Sequence, residues 1–587
     1  MSSDSKYALA MYDVRGKQEF IFRSRHLKKV IGGSCIIRDC FKDYLYPAAD
    51  GIGEKGIFNY KNICETKNIC ETKSEENPEL IKLKEELEKC KNIIKNEKDE
   101  NGKKLDKKEL KKYKKRKSQL DRDIDKEQND KSASNASDFT KEMFEKHLND
   151  GYIGEVIYDG GGNFFVLYKD MEVCIEINKR FTKNVLENIG TLQILCSCIE
   201  VDKSLSDFAS DESRLRKVHQ KNESQVSIIG PANASTMTDV DPNTSLALTK
   251  RDQKGNKISL EDFKKLEKYR EVYNEAEYGE KMLDHLVKKK GEDSLLAVIF
   301  IDGNNMGSKV SECRKGVSKD YCSQIKALRD FSNDIQKKYV DDRKTEIDNR
   351  LKSKYGTDDK KRFVVYAGDE MNFIVRAEDA LEVVKAYFDK LPKGDSSCAG
   401  ISIFHSHAPY LEAYKIAEEC CESGKKVMKK YNEKNTCYVD YQFCQSGLGR
   451  ELEDIREIEV GDLISKPWLL KDNDINVEKM GNIRKDVFTL DEVDIIVGDL
   501  NKLASRSNVK VLLRKAKSSQ IDFDMEMDRI YAHQTSSIRD EVKYTFVEMA
   551  KDAERREKRK KLIYDIVVAY DIWFKNEEKT TNNKEKG

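Results

Sequence analysis

The chain has 587 residues, with 108 lysines and arginines against 107 aspartates and glutamates, so its formal net charge is +1. At roughly 150 residues per domain that length holds about three or four domains, and the cancelled charge excludes a surface that is basic all over while allowing a local basic groove. The longest apolar run, Leu295 to Ile301, is far short of the ~20 residues a membrane helix needs, and Met1 to Tyr12 lacks the layout of a signal peptide, so membrane and secretory readings are set aside and a cytoplasmic protein is expected.

The first patterned stretch, Tyr7 to Tyr12, reads as a strand leading into a helix from Gln18 onward. A charged insertion over 60–140 follows. Within it Leu80, Leu83, Leu87, Cys90 and Ile94, then Leu110, Tyr113, Leu120 and Ile124, step at helical spacing and predict an antiparallel helical hairpin with a narrow apolar seam. Its lysines, dense over 78–127, read as a solvated face. A tandem Asn-Ile-Cys-Glu-Thr-Lys at 62–67 and 68–73 carries no evident chemistry. Strands Gly154 to Tyr158 and Asn163 to Tyr168 flank Asp159-Gly-Gly-Gly162 as a hairpin, followed by a helix over Met171 to Glu187 and a strand over Gln193 to Val201. The order is β-α-β-β-α-β, a split ferredoxin-like pattern.

Residues 202–292 are polar, with a Gly230-Pro231 turn and a helix expected from Leu260 to about Lys290. The β-α-β-β-α-β order then recurs. Strand Leu295 to Ile301 runs into Asp302-Gly-Asn-Asn-Met-Gly307, and a helix covers about Cys322 to Lys338. Strands Arg362 to Tyr366 and Met371 to Arg376 meet at Ala367-Gly-Asp-Glu370. A helix over Ala377 to Leu391, a strand over Ala399 to Ser406 and a helix over Tyr410 to Tyr431 close the unit. Beyond Gly447 the chain reads as helical, with Trp468, Leu469 and Leu470 in its core. The expected architecture is therefore α+β. Two ferredoxin-like palms at 1–201 and 293–446 are joined by a mostly helical region at 202–292 and followed by a helical domain at 447–587.

The second copy gathers carboxylates. Asp302 ends a buried strand, Asp369 and Glu370 sit at the neighbouring hairpin, and adjacent strands bring the three to one sheet edge. Mg²⁺ or Mn²⁺ is suited to such a place, since one or two carboxylates, waters and substrate phosphates complete its shell. Gly303 and Gly307 let backbone approach a polyanion, and Asn304, Asn305 and Ser308 lie where amides open a helix. Gly368 belongs to the Ala367–Glu370 turn that carries Asp369. Lys425 is placed to reach a triphosphate, although a lone lysine on a helix is more often a surface residue. The 15 cysteines form no C-x-x-C pair, and Cys196, Cys198, Cys420 and Cys421 read as small buried hydrophobes. His405 and His407 alternate along a strand and read as structural or surface residues.

Asp302-Gly-Asn-Asn-Met-Gly307, Ala367-Gly-Asp-Glu370 and Ala399-Gly-Ile-Ser-Ile-Phe-His-Ser406 together resemble the cyclase palm of the Cas-ten family, the large subunit of type III CRISPR effector complexes. Tyr12-Asp-Val-Arg-Gly-Lys-Gln-Glu-Phe-Ile21, Gly32-Gly-Ser34 and Gly160-Gly-Gly-Asn-Phe164 resemble its non-catalytic first palm. The resemblance covers most of 7–50, 150–200 and 290–445. It implies a metal-dependent nucleotidyltransferase, with metal on Asp302, Asp369 and Glu370. ATP is expected on the second palm and an acceptor on the first, near Asp13, Gly160, Gly161, Gly162 and Asn163. It also implies partners: other type III subunits, a guide RNA and a target RNA.

The family's hairpin usually reads Gly-Gly-Asp-Asp; here Ala367 and Glu370 replace its first and last residues. No His-Asp dipeptide and no paired zinc cysteines around 227–234 occur, so an HD nuclease is not expected. The expected product is a cyclic oligoadenylate made on target recognition. The same palm chemistry joining AMP to S-adenosylmethionine is the alternative, and a catalytically silent scaffold is the alternative of another class.

Overall fold

The computed structural model describes residues 6–24, 26–61, 138–160, 163–225, 238–273, 283, 285–287, 294–357, 360–444, 450–472, 487–503 and 506–574. The predicted helical hairpin, the tandem repeat, Gly161, Gly162 and the Gly230-Pro231 turn lie outside these residues.

The first sheet contains β1 (Tyr7–Arg15), β2 (Ile57–Phe58), β3 (Gly154–Gly160), β4 (Asn163–Tyr168) and β5 (Gln193–Val201), in the order β2-β3-β4-β1-β5. β1 runs antiparallel to both β4 and β5, and β3 antiparallel to β4. Helices α1 (Lys17–Phe22) and α2 (Leu27–Cys40) follow β1, while α3 (Met171–Asn188) joins β4 to β5. Strand alternation divides β1 cleanly. Ala8, Ala10, Tyr12 and Val14 pack with Ile36 and Cys40 of α2 and with Ile177 and Phe181 of α3. Tyr7, Leu9 and Met11 pack on the other face with Leu215 of α4 (Phe208–Gln225).

A two-stranded piece, β6 (Lys250–Arg251) with β7 (Lys257–Ile258), precedes α5 (Leu260–Val272). That helix is shorter than expected, because Tyr273 leaves it in an extended conformation with φ −120° and ψ 121°.

The second sheet is built around β8 (Leu295–Gly303), β9 (Lys361–Ala367), β10 (Glu370–Arg376) and β11 (Ser397–His405). Its central order is β11-β8-β10-β9, so the strands of the repeated unit take the same places in both sheets: fourth, first, third, second. α6 (Met306–Cys313) and α7 (Tyr321–Ile335) follow β8, and α8 (Ala380–Asp389) joins β10 to β11. α9 (Tyr410–Lys430) follows β11. The helix expected over 322–338 is longer than its apolar pattern indicated, because α7 continues through a wider turn at Gln336–Asp341 into a further helix, Asp342–Tyr355.

The region after residue 447 is not helical throughout. β12 (Thr436–Phe443), β13 (Trp468–Asp472) and β14 (Phe488–Thr489) extend the second sheet to seven strands before the terminal helices begin. Trp468 and Leu469 face opposite sides of that sheet, Trp468 in one core and Leu469 in the other. That is a two-residue period, which a three-residue apolar run conceals. No helix among the described residues is long and apolar enough to cross a membrane. Among those residues the cysteines are free thiols, with Cys420 and Cys421 buried and Cys196 and Cys198 half-buried.

Candidate active site

The β8–β10 ladder sets the site. It pairs Leu296 with Arg376 and runs to Ile301 opposite Met371. One step further, Asp302 stands opposite Glu370. Ile301 and Met371 belong to the core shared with the terminal helices, whereas Phe300 belongs to the core shared with Tyr410 and Tyr414 of α9. Alternation therefore turns the two carboxylates toward the α9 face. Below them Asn372, opposite Phe300, accepts a hydrogen bond from Tyr410 Oη at 2.5 Å and donates to the Ile299 carbonyl at 3.1 Å. This buried pair forms a rigid floor.

Asp369 lies in the two-residue turn between β9 and β10, after Gly368 at φ +67°. It folds back over Gly303 so closely that a Cβ on the glycine would sit 2.8 Å from Asp369 Oδ2 and 2.9 Å from its Cβ. Only glycine fits there. Burial, and then the nearby charge of Asp302, push the Asp369 carboxyl up to about 6. Burial, followed by the charges of Asp302, Glu418 and Asp369, pushes Glu370 up to about 7. Burial and the Glu370 charge also push the Tyr410 and Tyr414 phenols up.

Lys425 is the cation among these acids. Its Nζ donates to Asp302 Oδ2, and although burial opposes its charge, the Asp302 carboxylate holds its pKa above the ordinary lysine value. Lys425 is therefore an ion-pair partner inside the site, whereas Lys426 pairs with Glu453 at the surface at 2.8 Å.

The Asp302 loop separates its residues. Asn304 is buried, its amide donating to the Thr436 carbonyl at 3.0 Å and its backbone N–H to Ser396 O at 2.9 Å, so its side chain braces the loop from beneath. Asn305 caps α6 from the left-handed region at φ 57°. Gly307 and Ser308 are exposed on the first turn of that helix, where free N–H groups suit an anion.

No group of three or more His, Cys, Asp or Glu side chains among the described residues is arranged to hold a metal by itself. Asp302 and Asp369 are a crowded pair of carboxylates, with one lysine, Lys425, paired to Asp302. That donor set fits Mg²⁺ or Mn²⁺ held mostly by water and phosphate, and does not fit an all-protein cage.

The first sheet repeats the arrangement without the central acid. β1 pairs Tyr12 with Phe164, so Asp13 stands opposite Asn163 as Asp302 stands opposite Glu370. Gly160 pairs with Asn163 as Ala367 pairs with Glu370. In sequence Gly162 therefore takes the place of Asp369. Asp13 and Asn163 line a cavity of about 360 Å³ with Met11, Arg216, His219, Gln220 and Glu223. Asp13 pairs with Lys17 at 3.2 Å, and Asp159 with Lys61 at 2.7 Å. Burial lowers the His219 pKa, and its Nδ1 lies 3.1 Å from Ser197 Oγ.

Three residues of α9 escaped the sequence reading: Tyr410, Tyr414 and Glu418. They step by four toward Lys425 on one helix face, which is the signal that identifies them once Lys425 is suspected. Glu418 also accepts from Gln18 of α1 at 3.2 Å, and Phe22 packs against Tyr414 with ring centroids 4.3 Å apart. His405 and His407 stack at 5.2 Å, and His405 Nε2 lies 2.6 Å from Ser294 Oγ, away from the carboxylates.

No protein-family model and no curated protein matches the chain. Among solved structures it is similar to Csm1–Csm4 cassettes. The complex with cA4 is 12% identical with a TM-score of 0.42, covering 96% of this chain and 69% of that one. The complex with cA3 is 11% identical with a TM-score of 0.37, over 77% of this chain. A Csm1–Csm4 subcomplex of the type III-A CRISPR-Csm interference complex is 12% identical with a TM-score of 0.37. The chain spans 56% of the length of the cA3-bound relative.

Proposed function

We propose that the chain is the nucleotidyltransferase subunit of a type III CRISPR complex, built on two ferredoxin-like palms, that makes a cyclic oligoadenylate-type messenger from ATP when target RNA is bound. One observation carries this reading: Asp302 and Glu370 oppose each other across β8 and β10, with Asp369 folded over Gly303 between them. Three acids crowded at one sheet edge, two of them held well above ordinary carboxylate pKa values, are costly unless a cation or a phosphate-bound cation is the intended guest.

Asp302 and Asp369 would hold Mg²⁺ or Mn²⁺, which would neutralise phosphate charge. The amides of the first turn of α6, with Gly307 and Ser308 exposed there, receive the triphosphate of ATP. Lys425, which pairs with Asp302, is the cation of the site that would meet phosphate. The acceptor occupies the Asp13–Asn163 cavity of the first sheet, and its hydroxyl oxygen bonds to the α-phosphorus as the α–β bridging bond breaks. Pyrophosphate leaves with that electron pair and the hydroxyl proton is released. Guide RNA, target RNA and further type III subunits are the proposed partners. The acceptor cavity carries charges of both signs, Asp13 and Glu223 with Arg216, and this mixed lining suits a zwitterionic amino-acid group, which supports S-adenosylmethionine as a second reading.

The test is the complex reconstituted with guide and target RNA, given labelled ATP with Mg²⁺ or Mn²⁺, with and without S-adenosylmethionine, its products resolved by mass. A product lengthening by AMP units supports the first reading. A product that requires S-adenosylmethionine replaces it with the second, and no product under any condition leaves only a scaffold.

A further inference from the structure

One helical segment touches both halves of the site in succession. α7 belongs by sequence to the second palm, yet Ile325 and Leu328 pack into the core of the first, with Leu9, Met11 and Ile157. Arg329 is fully buried there, donating to the Ile157 carbonyl at 2.9 Å, to Val156 O at 2.6 Å and to Glu155 Oε1 at 3.1 Å. Three residues on, Ser332 donates to the Asp159 carbonyl at 3.0 Å. A Cβ on Gly160 would come within 2.5 Å of Ser332 Oγ, so the first-sheet turn is seated directly on this serine.

Four residues further, Gln336 Oε1 accepts the backbone N–H of Gly368 at 3.0 Å, in the turn that carries Asp369. The Gln336 amide is held by a second bond, Nε2 to Asp341 Oδ1 at 3.1 Å, so its oxygen faces the glycine. At Tyr339 the same segment reaches the Asp302 side. Tyr339 Oη donates to Asp395 at 3.0 Å and accepts from Lys309 of α6 at 2.8 Å. Arg329 and Ser332 stand one turn apart on α7, and Gln336 and Tyr339 lie on the wider turn that continues it, so the four contacts follow one another along a single unbroken helical segment.

The geometry points to α7 as a strut, with Ser332 and Gln336 the positioning residues that fix the distance between the acceptor turn and the catalytic turn. At 1.5 Å per residue, the four-residue step from Ser332 to Gln336 sets about 6 Å along the helix axis. A transfer reaction depends steeply on such a distance, since a misplacement of about 1 Å costs up to ~100-fold in rate while leaving each binding site intact. The inference rests on the two-nucleotide reading above.

The test uses the full chain in its complex, with kcat and KM for ATP measured for Gln336→Met, which keeps length and loses the acceptor, and for Gln336→Glu, which keeps the acceptor. Gln336→Met is expected to lower kcat about tenfold with KM for ATP within about twofold, and Gln336→Glu to restore most of it. Ser332→Ala is expected to lower kcat in the same way. The double variant should be no slower than the worse single one, because both residues act on the same distance. Hydrogen exchange of the 367–370 turn, read by mass spectrometry, should speed up in Gln336→Met and remain slow in Gln336→Glu. Unchanged kcat in an active complex, a loss confined to KM, or effects that multiply in the double variant would overturn the strut alone. Absence of product from the unaltered complex would overturn the nucleotidyl-transfer reading and this one with it.

Discussion

Gly303 and Asp369 are in mutual contact at the end of β8, with 2.9 Å between the place of a glycine Cβ and the aspartate Cβ. The smallest side chain at 303 therefore displaces the turn or the strand. Gly303→Ala is expected to lower nucleotidyl transfer by about tenfold or more and to cost about 1–3 kcal/mol of stability, as overpacking does. Gly307, four residues on, has open space around it, and Gly307→Ala is expected to leave the melting temperature unchanged or slightly raised. Melting curves of the two variants side by side check this, and equal losses in both would refute it.

Asp302 and Asp369 repel each other at the sheet edge, and under the proposed function they share the cation. Asp302→Ala and Asp369→Ala are each expected to reduce product formation by at least about 100-fold while the fold survives, because each removes a charge from a crowded site. Product analysis paired with circular dichroism is the check. Full activity in both variants would remove the second sheet as the catalytic one.

Glu370 gives the site a pH signature. Its carboxyl is pushed up to about 7 in the folded chain, mainly by burial and then by Asp302, against roughly 4.3 in an unfolded chain. The folded state thus holds a proton that the unfolded state has released. Its stabilising share is complete below about pH 4.3 and is lost as pH rises through about 7. In chelator, the chain is expected to melt at higher temperature at pH 6 than at pH 8. Glu370→Gln should flatten that difference by raising the pH 8 value. A Glu370→Gln protein with the same pH slope as the unaltered chain would refute the assignment.

The strands that build the site were legible because each is a short, nearly continuous apolar run bounded by turn residues, as strands buried on both faces are. Leu295 to Ile301 and Met371 to Arg376 can be read only as paired buried strands, and a two-residue turn between β9 and β10 leaves one register. Asp302, Asp369 and Glu370 followed from that register. Asn304 did not, because nothing in Asp-Gly-Asn-Asn distinguishes an amide aimed at a ligand from one aimed at the Thr436 carbonyl. Gln336 was hidden for a different reason: its contact with Gly368 joins residues 32 apart through a backbone N–H, which leaves no trace in side-chain patterning. β13 was missed because Trp468 and Leu469 show too short a run to reveal a period.

Arg329 supports the most direct prediction about how the two halves hold together. Its guanidinium is wholly buried, stacked 4.0 Å from the centre of the Tyr60 ring and paired with Glu155, which also meets His147 Nδ1 at 2.8 Å. Burial pulls the arginine pKa down and the Glu155 charge resists that pull. Removing one partner of such a pair strands the other charge, at a cost of about 3–5 kcal/mol. Arg329→Met should therefore lower stability by about that amount in urea unfolding and loosen the first sheet from α7. Arg329→Met combined with Glu155→Met removes both charges, and should recover more than half of the loss. If the double variant is as unstable as Arg329→Met alone, the backbone bonds to Val156 and Ile157, rather than the charge pair, hold α7 on the first sheet.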